Sequence, residues 1–399
     1  MQPSDALTEV AEQLHAALES AARQLRAGRR VRCSLALLPS VALAGMPHRW
    51  GTVEVIQLQE DLFELLVGVG SVMLAESFMG LLRRLQHPFR SLTDGGDPAP
   101  PIIGPLVKRL PPEGVLAVSL LLLPAHTDLW NGRRRGLRET ARASAVAEER
   151  VVHFLLPLLL QEILLTSLLL SFHYKKQEVW VHRWWVVHQI LTLDDLDLEA
   201  FHTHDRAVLF EAADGHPMNY NAWNYRRQVF ACLFKRENIT EGTIRALLLE
   251  ELNAVVEFFE RHNGDTSATV YLTFLLEQAT ARWGATDDGH KFVASHVWRR
   301  LLSVTAQELR RHYDKGHEAV WVLRLALMRW ALWERPSCGW TLQDELEFID
   351  TYAAVATVLG EEEGGANMRP DITWVNVSGS CWWTSYHAVR YGVQLLRML

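Results

Sequence analysis

The sequence lacks both a cysteine framework and a large excess of either charge. Its four cysteines, at positions 33, 232, 338 and 381, form no Cys-x-x-Cys pair and have no histidine at ligand spacing. This argues against a disulfide scaffold or a structural zinc site and favours a reducing compartment. The 40 basic and 47 acidic residues leave a net charge of −7, so the whole chain has no cationic field that would attract nucleic acid.

The sequence also lacks an apolar signal segment at its start, where MQPSDALTEVAEQ carries acidic residues. One stretch, residues 151–172, is long enough to cross a bilayer. It contains His153, Pro157, Gln161 and Glu162, and an ionisable group in mid-span costs about 2.5 to 3.5 kcal/mol. We therefore expect a buried helix, no transmembrane segment and a cytoplasmic protein.

Patterns typical of strands are rare, and most of the chain has helical periodicity. Residues 197–215, 243–262 and 341–360 place apolar side chains at steps of three and four and end near a glycine or asparagine. The sequence predicts an all-α fold.

A break rich in proline and glycine at residues 91–114 interrupts this pattern, because six prolines and four glycines there are incompatible with a continuous helix. We predict a weakly patterned N-terminal region over 1–114 and a helical repeat domain over 115–399. Within the first region the expected elements are a helix at 6–27, an extended piece at 52–59 and a helix at 66–85.

A Trp-x-x-Arg pair recurs along the chain. Its tryptophans are 50, 43 and 98 residues apart, and the last interval holds two steps of 49. A degenerate copy is therefore predicted near residue 270, with Val270 in the place of tryptophan and Thr273 in the place of arginine. A period of this size predicts a solenoid of helical hairpins. The four recognisable pairs are Trp130 with Arg133, Trp180 with Arg183, Trp223 with Arg226, and Trp321 with Arg324.

The repeated residues have a packing explanation. Positions i and i+3 face the same side of a helix, so each arginine can stack on its indole or pair with a carboxylate of the next hairpin. Tryptophan supplies the largest apolar area for packing one hairpin on another. The repeat therefore predicts how the helical hairpins pack and says little about catalysis.

The most regular copy, NYNAWNYRR at 219–227, carries a more specific signature. It resembles the repeat of the protein prenyltransferase alpha-subunit family, whose pattern is Asn-Tyr-x-x-Trp-x-x-Arg-Arg. Every fixed position is met, by Asn219, Tyr220, Trp223, Arg226 and Arg227. The resemblance covers about residues 115 to 335, and the divergent copies look most like those of alpha-like subunits of protein geranylgeranyltransferases.

The resemblance implies a right-handed α-α superhelix of hairpins that wraps a separate beta subunit. In the family that subunit binds the isoprenoid diphosphate and the zinc that activates the acceptor's cysteine, so neither cofactor is expected in this chain. The implied partners are a Rab-type geranylgeranyltransferase beta subunit and an acceptor protein with a C-terminal cysteine.

The family also has one catalytic lysine in its alpha subunit, five residues before the tryptophan of the second repeat. Lys175 stands at that position here, but Lys176 and Gln177 replace the family's asparagine and tyrosine. The alternative is that both lysines belong to a solvated turn. Asn219, Tyr220 and Asn221 match positions that contact the beta subunit or the active site in the family. For Asn221 we favour a helix N-cap.

No independent active site or metal site is visible in the sequence, since its 17 histidines form no recognisable triad or metal pair. The basic run RRRGLR at 133–138 lies inside a repeat copy of an acidic chain, so no nucleic-acid partner is expected. Two functions remain: an alpha-type subunit that is inactive alone, and a non-catalytic helical scaffold that kept the hairpins and lost the transferase role.

Overall fold

A computed structural model describes residues 3–39, 42–43, 46, 50–70, 75, 113–146, 151–193, 197–236, 239–311, 318–334, 339–351 and 381–398. It is 75% helical, which confirms the predicted all-α class of helical repeats. The chain divides into two compact units, residues 1–232 and 233–399. The predicted boundary between residues 114 and 115 stays a prediction, and most of the proline-rich insert lies outside the described residues.

The first unit begins with helix α1, Pro3–Arg26, followed by a three-stranded sheet. The strands are β1 (Arg30–Leu38), β2 (Gly51–Gln59) and β3 (Leu62–Gly70), in the order β1-β3-β2. β1 runs parallel to β3, and β2 runs antiparallel to it with a register shift between Gln57 and Gln59. The sheet adds a small strand element to the predominantly helical fold.

Two sequence predictions in this region are confirmed and one is wrong. The helix expected at 6–27 and the extended piece at 52–59 correspond to α1 and β2. The helix expected at 66–85 is a strand over its first five residues, and the rest, apart from residue 75, lies outside the described residues. β3 is paired on both sides, so its apolar run lacks alternation, and periodicity alone could not separate it from a buried helix.

The repeat hairpins follow, and in each one we call the two members the first and the second helix. In the first unit the pairs are α2 (Glu113–Leu122) with α3 (Thr127–Val146), α4 (Val151–Leu170) with α5 (Gln177–Ile190), and α6 (Leu198–Gly215) with α7 (Tyr220–Leu233). In the second unit the first pair is α8 (Glu241–Arg261) with α9 (Thr266–Trp283). In the next pair the first member consists of α10 (Asp287–Phe292) and α11 (Arg299–Arg311), joined by a π-helical turn at Val293–Trp298, and the second is α12 (Glu318–Arg329) with its π-helical end Trp330–Glu334. The last pair is α13 (Leu342–Asp350) with α14 (Cys381–Met398).

Helix α4 is the segment that resembles a membrane span, and every residue from 159 to 170 in it is buried. It packs against α1, α5, α6 and β1. A helix that is apolar on all sides is expected where protein surrounds it. The predicted buried helix is therefore confirmed, and within the part of the chain that the structure describes no helix meets the length and apolarity needed to span a bilayer.

Candidate functional site

The four repeated tryptophans occupy equivalent places, each in the first turns of a second helix. All are buried, with exposed fractions of 2 to 3%. The indole Nε1 of Trp130 donates to the carbonyl of Pro124 at 2.8 Å, and that of Trp180 donates to Tyr174 at 2.9 Å. In both copies the acceptor lies six residues earlier, in the turn between the two helices. In these two copies the tryptophan thus fixes the turn of its hairpin as well as filling the core.

Three of the four repeated arginines bind a carboxylate of the following hairpin. Arg133 pairs with Glu162, Arg183 with Asp205 at 2.9 Å, and Arg324 with Glu345 at 2.6 Å. All three carboxylates lie on first helices. These contacts confirm the predicted pairing of arginine with a carboxylate. The rings over which the arginines lie are not the tryptophans of their own copies, since Arg183 lies over Tyr225 and Arg324 over Phe348.

Asp205 receives a second arginine, which comes from its own hairpin. Arg226 donates from Nη1 to Oδ2 at 2.7 Å, while Arg183 donates from Nε and Nη2 to Oδ1. All three side chains are fully buried. Burial alone would raise the pKa of Asp205, but the two guanidinium groups hold that pKa below its usual value. The carboxylate therefore stays ionised inside the core.

A second donor from the same hairpin reaches each carboxylate, and sequence reasoning missed it. In the copies of Trp180 and Trp223 it stands two residues after the tryptophan, and in all four copies its hydrogen bond is 2.5 to 3.0 Å long. In three copies donor and acid are twenty residues apart, a spacing that a search could have used. The pairs are His182 with Glu162, Tyr225 with Asp205, Tyr271 with Glu251, and Tyr391 with Glu345.

This donor fixes the register of the degenerate copy and corrects the sequence prediction. Because Tyr271 is equivalent to Tyr225, the tryptophan position in α9 is Thr269, which is fully buried. Val270 is 53% exposed and does not occupy the place of an indole. The prediction of Val270 and Thr273 was wrong by one residue, because a copy without tryptophan and arginine leaves only approximate spacing to align it.

The turn that carries Lys175 is fixed by the next hairpin. Asn219 donates from Nδ2 to the carbonyl of Tyr174 at 2.9 Å, and Asn221 donates to the carbonyl of Lys175 at 3.0 Å. Trp180 binds the same Tyr174 carbonyl. Lys175 itself is exposed. The backbone on which this side chain stands is therefore anchored by three side chains while the ammonium group is free to reach outward.

Of the three residues predicted to contact a partner, Tyr220 is exposed, whereas Asn219 and Asn221 hold the turn of Lys175. Tyr220 is 66% exposed and available to a partner. Asn219 is fully buried and is the N-cap of α7, where its Oδ1 accepts from the backbone N–H of Ala222 at 3.3 Å, and its contact with a partner stays a prediction. The capping role predicted for Asn221 therefore belongs to Asn219. Arg227 is exposed and donates to Asn224 at 2.9 Å.

These features define a class: a protein of helical hairpins in which a buried arginine of one hairpin binds a carboxylate of the next. No protein-family profile matches the chain. It is related to the protein prenyltransferase alpha subunit repeat-containing protein 1 of Danio rerio, at 24% identity over 259 residues, 55% of each chain. The Homo sapiens protein of that name is 28% identical over 180 residues, covering 41% of this chain and 39% of its own length.

A Xenopus laevis relative, protein prenyltransferase alpha subunit repeat-containing protein 1-B, is 27% identical over 179 residues, 41% of this chain and 36% of its own. These relatives confirm the resemblance to the prenyltransferase alpha-subunit repeat family that the sequence of 219–227 indicated. In these matches the chain spans about half the length of the Danio rerio protein and a smaller share of the other two.

Proposed function

We propose that this chain is the alpha-type subunit of a heterodimeric protein prenyltransferase of the cytoplasm. In this proposal a separate beta subunit, of the Rab-type geranylgeranyltransferase kind, binds zinc and the isoprenoid diphosphate and transfers the geranylgeranyl group to a C-terminal cysteine of an acceptor protein. The role corresponds to the alpha-like subunit of geranylgeranyltransferase type III. The observation that carries the proposal is the anchored turn of Lys175.

The anchored turn suits a group that must meet negative charge at a defined place. Cleavage of the bond between carbon and oxygen in an allylic diphosphate develops negative charge on the leaving group. An ammonium held near that group stabilises the transition state more than the ground state. Because Asn219 and Asn221 hold the backbone at residues 174 and 175, little of that stabilisation is lost in ordering the turn. Lys175 is thus the catalytic residue that this chain would contribute.

The surface around the turn offers side chains for a partner. Tyr220 begins α7 and is 66% exposed. Tyrosine is enriched at protein interfaces because it combines a large apolar ring with a polar end. A beta subunit seated here would cover Tyr220 and bring its own substrate site to Lys175.

The first experiment is co-expression of this chain with each prenyltransferase beta subunit of its own organism, followed by purification and an assay of transfer to a protein that ends in cysteine. A stable complex that transfers the lipid would support the proposal. If no beta subunit co-purifies, the proposal fails.

The second experiment compares Lys175→Ala with Lys176→Ala, a matched control on the next residue of the same exposed turn. Loss of one charge-stabilising contact costs on the order of 3 to 4 kcal/mol in the transition state. We expect Lys175→Ala to lower turnover about 100- to 1000-fold with the complex intact, and Lys176→Ala to change it little.

A non-catalytic scaffold is the second candidate, favoured by Lys176 and Gln177 where the family has asparagine and tyrosine. In that case the chain would still bind a partner through its hairpins, but Lys175→Ala would leave turnover unchanged. The same pair of variants therefore decides between the two functions.

A further inference from the structure

A second charged surface lies in the first compact unit and has no part in the function proposed above. Four arginines of α3 line it: Arg134, Arg135, Arg138 and Arg142. They lie beside two adjoining pockets of about 330 and 410 Å³ that share Asn131 and Arg134. We call this surface, between α3 and α5, the arginine groove.

The four arginines of the groove differ from their neighbour Arg133, whose guanidinium is buried against Glu162. Among the described residues no carboxylate pairs with any of the four. Arg134 is half-buried, and its pKa is lowered by that burial and by the charge of Arg138. Concentrated charge of one sign without a counterion favours a ligand of the opposite sign.

The groove also has an aromatic and apolar wall supplied by α5. The guanidinium carbons of Arg134 and Arg138 lie 5.9 and 5.5 Å from the centre of the Trp185 ring. Arg134 donates from Nε to His182 at 3.3 Å. Stacking on an indole orients a guanidinium and leaves its edge available for a carboxylate. Val181, which is 48% exposed, lies in the same wall.

We propose that the arginine groove binds a short acidic segment of a partner protein. Aspartate or glutamate side chains of that segment accept paired hydrogen bonds from Arg138 and Arg142. An apolar side chain of the same segment packs against Val181 and Trp185. This inference does not depend on Lys175 or on a beta subunit.

The dimensions and charge of the surroundings favour a peptide over a continuous polyanion. From Arg134 to Arg142 the helix rises about 12 Å, which matches about four residues of an extended chain. Glu139 and Glu178 also line the groove, so a nucleic acid or a lipid surface would meet carboxylates along its track. The whole chain, with a net charge of −7, repels such polyanions at long range.

The test measures binding of a fluorescein-labelled peptide of glutamates and leucines to the full chain by fluorescence anisotropy. The double variant Arg138→Gln/Arg142→Gln removes two exposed charges, and Arg299→Gln/Arg300→Gln in the second compact unit is the matched control. We expect the first variant to weaken binding about tenfold or more and the control to bind as the wild type does. Binding should also weaken as salt rises from about 0.05 to 0.5 M.

A charge-preserving variant separates recognition of carboxylates from simple attraction. Arg138→Lys/Arg142→Lys keeps both charges and loses the paired hydrogen-bond geometry, so its affinity should fall between those of the wild type and the glutamine variant. All variants are first checked for an unchanged melting temperature. The proposal is overturned if the wild type does not bind the peptide, or if the glutamine variant binds it as tightly. It is also overturned if single-stranded RNA or phosphatidylserine vesicles bind more tightly through the same arginines.

Discussion

The copies in α7 and α9 differ in the signature residues and share two other features. The α7 copy has the full signature with Trp223 and Arg226, whereas α9 has Thr269 at the tryptophan position. Both keep a side chain that caps the helix four residues earlier, Asn219 or Asp265. Both also keep a tyrosine that donates to an acid of the first helix. Between these two copies the capping residue and the tyrosine are shared, whereas the tryptophan and the arginine are not.

The loss of tryptophan in α9 is compensated by a closer backbone contact. The hydroxyl of Thr269 donates to the carbonyl of Asp265 at 3.1 Å within its own helix, and lies 3.4 Å from the carbonyl of Ala319 at the start of α12. A small side chain at this position lets the two second helices approach, so the polar group is buried with its hydrogen bond made.

The largest difference is expected at the buried acids. Asp205→Asn leaves Arg183 and Arg226 buried without their carboxylate and should lower the free energy of unfolding by about 3 to 5 kcal/mol. Glu251→Gln, at the equivalent place in α8, should cost only about 1 to 2 kcal/mol. Both losses of stability are measured by urea unfolding, monitored through hydrogen exchange in α6 and α8. Equal losses of stability in the two variants would contradict the expectation that Asp205 matters more because two arginines bind it.

A pH dependence should belong to the α6 copy. Burial and the nearby Arg183 lower the pKa of His204 to about 4, from about 6.5 in an unfolded chain. Only the unfolded state takes up the proton in this window, so stability is full above pH 6.5 and falls by about 3 kcal/mol as the pH drops to 4. In α8 the equivalent residue is Glu250, which is exposed.

The control for this pH dependence is His204→Gln, which should flatten the loss of stability between pH 6.5 and 4 in urea unfolding. His182 and His202, whose pKa values are also lowered by burial, should leave part of the slope. An unchanged slope in the variant would show that His204 titrates normally in the folded protein.

The two tyrosines should behave alike in both copies. Tyr225→Phe and Tyr271→Phe each remove a buried hydrogen bond to a carboxylate, of 2.5 and 2.8 Å. Each should cost about 2 kcal/mol of unfolding free energy, the usual range for a hydrogen bond to a charged group. A large effect in one copy and none in the other would show that the tyrosine is not the shared element.

The smallest effects are expected at the helix caps. Asn219→Ala and Asp265→Ala should each lower the free energy of unfolding by about 1 kcal/mol. Asn219→Ala should also loosen the turn of Lys175, because it removes the hydrogen bond to the Tyr174 carbonyl. Limited proteolysis at that turn, with Asp265→Ala as the control, measures the second effect.

The features that sequence could predict are those with a fixed local spacing. The pairs Trp130 with Arg133 and Trp180 with Arg183 revealed the second helices, and the composition of α4 revealed its burial. The positions of the arginines alone did not identify the acid that each one binds. α6 carries Glu199, Glu211 and Asp214 besides Asp205, and only the rotation of the packed helix places Asp205 inside.

The pairing of Arg183 with Asp205 has a consequence for the order of events during synthesis. The arginine leaves the ribosome 22 residues before its acid, which at roughly 5 to 20 residues per second is a delay of about 1 to 4 seconds. Until α6 arrives, the hairpin of α4 and α5 holds a guanidinium that cannot be buried without cost. Nascent chains in which residue 205 has not yet left the ribosome should therefore be cut faster by protease in α4 and α5 than chains in which it has.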